Sequence, residues 1–97
     1  MLVMLRYRFE GGAAGREAYT RFSKWAPSPG FEIKGGWISA GNEGGFLLLE
    51  VESNAAMLEF SAKFKDKNAV VDITPVVELG EGLGIVQKAY DWVDSVS

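Results

Sequence analysis

The stretch GGWISAGNEGGFLLLEVE, residues 35–52, decides how this chain folds. Glycine-rich segments cradle phosphates when the turn opens directly into a helix, whose first N–H groups meet the anion. Here the turn opens into FLLLEVE, where Leu47, Leu49 and Val51 alternate with Phe46, Leu48, Glu50 and Glu52. A period of two is the mark of a strand. No Gly-Lys-Ser or Gly-Lys-Thr is present, and no G-x-G-x-x-G leads into a helix, so a nucleotide site is not expected. Gly41-Asn42-Glu43-Gly44 supplies residues that accept positive φ, as a tight hairpin demands. Gly35 and Gly36, inside the first strand beside Trp37, predict a bulge or the close approach of another group. Which face Trp37 takes depends on a register that the sequence leaves open.

Working outward, residues 2–9 alternate as well, with Val3, Leu5, Tyr7 and Phe9 opposite Leu2, Met4, Arg6 and Arg8. Residues 14–25 change period: Ala18, Phe22 and Trp25 fall at helical spacing with Tyr19 beside them, and Glu17 can pair with Arg21 one turn on. The APSPG segment, 26–30, closes that helix. After the hairpin, Ser53 or Asn54 caps a second helix striped by Met57, Phe60 and Phe64 with Leu58 alongside. KDKN ends it, and AVVDITPVVEL reads as a fourth strand, whose Pro75 is tolerated only at a sheet edge. GEGLG and a C-terminal helix follow, with Ile85, Ala89, Trp92 and Val96 at helical spacing. The order β-α-β-β-α-β is that of an α+β, ferredoxin-like domain: an antiparallel four-stranded sheet in order 4-1-3-2 with two helices on one face. That order puts the Pro75 strand at an edge. Residues 1–97 make a single domain, with 80–97 as a C-terminal extension.

Composition excludes several chemistries. The chain has no cysteine and no histidine, which removes thiolate nucleophiles, disulfides and the commonest metal ligands and general base. Its net charge of −3 argues against nucleic acid as a partner. The apolar run of MLVMLRYRFE is too short to span a bilayer, and a cytoplasmic protein is the default expectation. No loop gathers three carboxylates at metal-ligand spacing, and no cofactor is expected.

Two helices cover only one face of such a sheet. The other face carries Leu2, Met4, Phe46 and Leu48, with Arg6, Arg8, Glu50 and Glu52 on the same side. Large apolar groups there are expected to be covered by a partner, and a sheet-to-sheet homodimer with pairs such as Arg6–Glu50 accounts for both sets. The plainer alternative is a solvated face with scattered apolar residues.

GGW with its glycine-rich turn, GGFLLLEVESNAAMLEFSAKF and VDITPVVE together resemble the DUF3303 domain, an uncharacterised bacterial family, over most of residues 1–80. Its members look like the dimeric α/β-barrel superfamily, in which two ferredoxin-like sheets pack face to face. The resemblance implies a homodimer and a ligand held between sheet and helices; the wider superfamily includes monooxygenases, haem-degrading enzymes and lactone isomerases. The family pattern implies a polar or histidine residue after the tryptophan, where this chain has Ile38, so chemistry resting on that position is not expected.

The space between sheet and helices is expected to be lined by Tyr7, Phe9, Tyr19, Phe22, Trp25, Phe60 and Phe64, with Trp37 joining them if the register allows. One reading is a pocket for a small lipophilic molecule, a fatty acid or aromatic metabolite, with tyrosine hydroxyls and indole N–H as polar handles. The other is an ordinary aromatic core. Arg6 and Arg8 suit either an anionic head group or cross-strand pairing with acids such as Glu50. Acid–base chemistry would fall to Glu32 or Glu50. No catalytic pair stands out, which favours a binding or accessory role over a cofactor-independent monooxygenase or isomerase; a structural dimerisation module with a filled core and no ligand is the second alternative.

Overall fold

The computed structural model describes residues 1–9, 12–24, 30–65 and 69–96. Its elements are β1 (Leu2–Phe9), α1 (Gly12–Ser23), β2 (Phe31–Ile38), β3 (Gly44–Val51), α2 (Asn54–Lys65), β4 (Ala69–Pro75) and α3 (Leu79–Val96). The four strands form one antiparallel sheet in the order β2-β3-β1-β4, which is the 4-1-3-2 order expected from sequence. Pro75 closes the edge strand β4 opposite Val3, where its missing N–H interrupts no interior ladder. The next residue resumes the pattern, with the Val76 N–H donating to the Leu2 carbonyl at 3.0 Å.

One face of the sheet is the core. Val3, Leu5, Tyr7, Leu47, Leu49, Val51, Ala69 and Val71 point from the strands toward Met57 and Phe60 of α2, and all are buried. The alternation read from β1 and β3 therefore maps directly onto inside and outside. Each fully covered aliphatic or aromatic side chain here contributes roughly 1.5–3 kcal/mol. Ser53 starts α2 by accepting a hydrogen bond from the Ala56 N–H at 3.1 Å, the role proposed for it as an N-cap. Met57 and Phe60 are buried as their stripe predicts, but Leu58 is 70% exposed, because it lies off that stripe. Glu17 and Arg21 of α1 pair at 2.6 Å, one turn apart.

The hairpin forms as expected, with two differences in detail. Its turn is closed by the Asn42 N–H donating to the Ser39 carbonyl at 2.8 Å, and Asn42 (φ 58°) is the residue in the left-handed region. The bulge falls one residue before the two glycines: the register between β2 and β3 shifts between Ile33 and Gly35, leaving Lys34 as the extra residue. Before it, Phe31 and Ile33 oppose Val51 and Leu49 on the core face; after it, Gly36 opposes Leu47 there, and Trp37 opposes Phe46 on the outer face.

Two further expectations are corrected. The first concerns the ion pair Arg6–Glu50, which does not form. In the β1–β3 register Glu50 stands opposite Leu2, two rungs from Arg6. Glu50 instead binds the N-terminal ammonium at 2.8 Å, and Arg6 sits 6.0 Å above the Phe46 ring. The second concerns the C-terminal helix, which already begins at Leu79 and takes GEGLG into its first turns. Glu78 caps it through the Glu81 N–H at 3.0 Å. None of the residues of α3 is buried.

A candidate functional site between the sheet and helix α1

Tyr7, near the end of β1, turns its ring toward Gly45 of β3, where a Cβ would lie 2.6 Å from the tyrosine oxygen. Glycine is thus the residue that lets the ring lie flat against the neighbouring strand. Its hydroxyl meets that of Tyr19 on α1 at 3.3 Å. Phe9 packs edge-on against Tyr19 with ring centroids 5.4 Å apart, and α1 approaches closely through Gly15, whose Cβ position is 3.3 Å from the Phe9 ring. Beyond this trio, between α1 and the hairpin end of β2 and β3, lies an apolar cleft of about 240 Å³.

Tyr7, Phe9, Tyr19 and Leu47 line the cleft from the sheet and helix, together with Ala18. Gly36, Trp37 and Ile38 of β2 complete it. The space exists at Gly36 because a glycine occupies a core-facing position; a Cβ there would meet Leu47 Cδ2 at 3.1 Å. Ile38, 62% exposed, marks the rim. Trp37 borders the cleft, while its indole folds back over Gly35, with Cη2 2.9 Å from where a Gly35 Cβ would stand. The two glycines therefore do different jobs: one seats an indole on the outer face, the other leaves room on the inner face.

Burial, reinforced by the hydrogen bond to Tyr19, pushes the Tyr7 hydroxyl well above the ordinary tyrosine range. It holds its proton, so it can donate a hydrogen bond and does not act as a base. Of the residues anticipated in the pocket, Tyr7, Phe9, Tyr19 and Trp37 do border the cleft. Phe60 does not; it is 1% exposed and packs edge-on against Phe31, ring centroids 4.8 Å apart, in the core beneath β2 and β3. Trp25 and most of the APSPG segment lie outside the described residues, as do the side chains of Phe22 and Phe64. Sequence periodicity missed Gly36, Ile38, Ala18 and Leu47, since a cleft depends on where side chains are small as much as on where they are large.

Arg6, Arg8 and Glu50 belong to the outer face, away from this cleft. Arg8 approaches Asp72 of β4 at 3.9 Å. The N-terminal ammonium holds the Glu50 carboxyl below its usual range. Glu32 reaches Lys34 at 3.5 Å, and both acids border a second, shallower depression at the opposite end of the hairpin. Among the described residues, no group of three carboxylates could hold a metal ion, and no helix is long and apolar enough to cross a membrane.

A family model described as a domain of unknown function, DUF3303, matches residues 1–90. The chain belongs to the DUF3303 family. No curated protein matches it, and no solved structure does. The match covers the whole sheet of this DUF3303 protein, both packed helices and α3 as far as Tyr90. It carries no activity with it, and the chemistry of the site has to be read from the cleft itself.

Proposed function

We propose that this DUF3303 protein binds a small lipophilic molecule, a fatty acid or an aromatic metabolite, in the cleft between its sheet and α1. The observation that carries the reading is the cleft: about 240 Å³ of space bordered by Phe9, Leu47, Ile38 and a glycine, with the tyrosine pair at its edge. An apolar cavity of about 150 Å³ admits benzene, so this one has room for a ring with a short chain or for a folded stretch of acyl chain. Tyr7, kept protonated by its burial, suits donation to a ligand carbonyl or carboxylate. Binding is favoured over turnover because Glu32 and Glu50, the acids considered for proton transfer, pair with Lys34 and the N-terminus away from the cleft.

The same proposal includes a homodimer in which a second copy covers the outer face of the sheet. Phe46 and Trp37, 39% and 55% exposed, stand on that face with Leu2, Met4 and Leu48, a block of apolar surface of the kind that partners cover. The superfamily resemblance implies sheet-on-sheet packing, as in a dimeric α/β barrel. Native mass spectrometry of gently purified protein tests both halves of the reading. A dimer carrying a small hydrophobic adduct is the expected result; protein that carries no adduct and fails to bind an added medium-chain fatty acid refutes the ligand.

A further inference from the structure

The cleft between the sheet and α1 has no charge in its lining. Among the described residues that border it there is no lysine, arginine, aspartate or glutamate. Its polar side-chain groups are the Tyr7 and Tyr19 hydroxyls and the Trp37 indole, and the indole folds away over Gly35. Charges on the surrounding elements are engaged elsewhere or exposed. On β1, Arg6 lies above Phe46 and Arg8 approaches Asp72, both on the outer face. On α1, Arg21 is held by Glu17 at 2.6 Å, and Arg16 is exposed. Lys34 of β2 pairs with Glu32, and Glu50 of β3 binds the N-terminal ammonium. The charged residue of the hairpin turn is an acid, Glu43, and it too is exposed.

A carboxylate drawn into such a space gives up its water and finds no cation in exchange. The cost of an unpaired ion in apolar surroundings is high enough that the group takes up a proton instead. The tyrosine pair points the same way. Tyr7 and Tyr19 share one hydrogen bond between their hydroxyls at 3.3 Å. That bond uses one of the two hydroxyl protons and leaves the other to donate. A single donor matches a single neutral acceptor, such as the oxygen of a ketone, an ester or a protonated acid. A carboxylate, with roughly four lone-pair sites on two charged oxygens, would keep most of them unmet.

We infer that the cleft takes its ligand uncharged: an apolar molecule whose one carbonyl oxygen accepts a hydrogen bond from the Tyr7–Tyr19 pair. A fatty acid enters as the free acid and not as the anion. The inference rests on the reading that the cleft is a ligand site, and it names the chemical form that the site selects.

Three eight-carbon probes, 2-octanone, octanoate and octylamine, test this by calorimetric titration of the full chain between about pH 5.5 and 7.5. The chain has no histidine, and tyrosines are the titratable residues among those lining the cleft. A slope across that window therefore belongs to the ligand. The ketone should bind equally at every pH. Octanoate should lose about tenfold in apparent affinity per pH unit, because an alkyl carboxyl titrates near 4.3, as glutamate does, to within about a unit, and only its protonated form binds. Octylamine, charged throughout, should bind far more weakly than the ketone. Octanoate that binds as tightly as the ketone at pH 7.5, with no slope, overturns the inference and leaves the cleft as a ligand site. If that binding is lost in Arg16→Ala, the missing cation is found at the mouth, and the inference falls equally. In the Tyr7→Phe/Tyr19→Phe double variant, ketone affinity should drop about 2–10-fold; unchanged affinity in a folded variant overturns the part given to the pair. Should that variant unfold, the pH series on the parent chain still decides the question of charge. Failure of all three probes at every pH removes the ligand site itself, a result distinct from a charged ligand binding well.

Discussion

Gly36→Leu is the substitution that bears most directly on the cleft. Position 36 faces the core side of β2 opposite Leu47, and its Cβ would sit 3.1 Å from Leu47 Cδ2. That atom is the tip of a flexible side chain and can give by a few tenths of an ångström. The remaining carbons of the leucine then project into the space of about 240 Å³. A ring-sized ligand covering on the order of 100 Å² of apolar surface there gains about 2.5 kcal/mol. Excluding it should therefore weaken binding by about 70-fold. Stability should change little, since removing a glycine from a strand gains about 0.5–1 kcal/mol and the shifted Leu47 gives part of that back. The assay is titration with a fluorescent anilinonaphthalene sulfonate or a labelled fatty acid, alongside guanidinium unfolding of the same sample. A variant as stable as the parent that still binds within about threefold would refute the cleft as the site.

Other substitutions test the frame around it. Leu49→Ala, at a fully buried position in the central strand β3, should cost about 2–5 kcal/mol in denaturant unfolding. Ser53→Ala removes the cap of α2 and should cost about 1 kcal/mol by the same measure; no change would deny Ser53 that role. Tyr7→Phe carries a pH signature. Because the folded state raises the Tyr7 pKa above its unfolded value near 10, the contribution of its neutral hydroxyl is complete below that pH and drains away as pH rises toward the folded pKa. The stability gap between parent and Tyr7→Phe should be constant from pH 7 to about 9 and narrow above about 10, and a gap that widens there contradicts the assignment.

The sheet was legible because two signals agree independently. Strict alternation in β1 and β3 fixed which side chains turn inward, and Pro75 required an edge that the 4-1-3-2 order provides. Part of the site followed from the same alternation, since Tyr7 and Phe9 share the inward face of β1. Trp37 was not legible. Its face turns on one extra residue, Lys34, and nothing in FEIKGGWISA distinguishes a strand that keeps its register from one that slips by one. Phe60 shows a different limit: helical spacing reports that a side chain turns inward, not whether it meets a neighbour, as Phe60 meets Phe31, or a void. Helix α3 shows the same limit, because an apolar stripe reads identically whether its partner lies in the same chain or another.

The bulge at Lys34 is what keeps the cleft hollow. Lys34 is the extra residue, so a strand that lost it would pair regularly and still present Gly36 to the core and Trp37 to the outer face. A strand that kept Lys34 but straightened would do the reverse: Lys34 would take the rung opposite Leu48, Gly36 would move to the outer face, and Trp37 would turn inward and plug the cleft with its own indole. One unpaired residue thus separates a hollow site from a solid core.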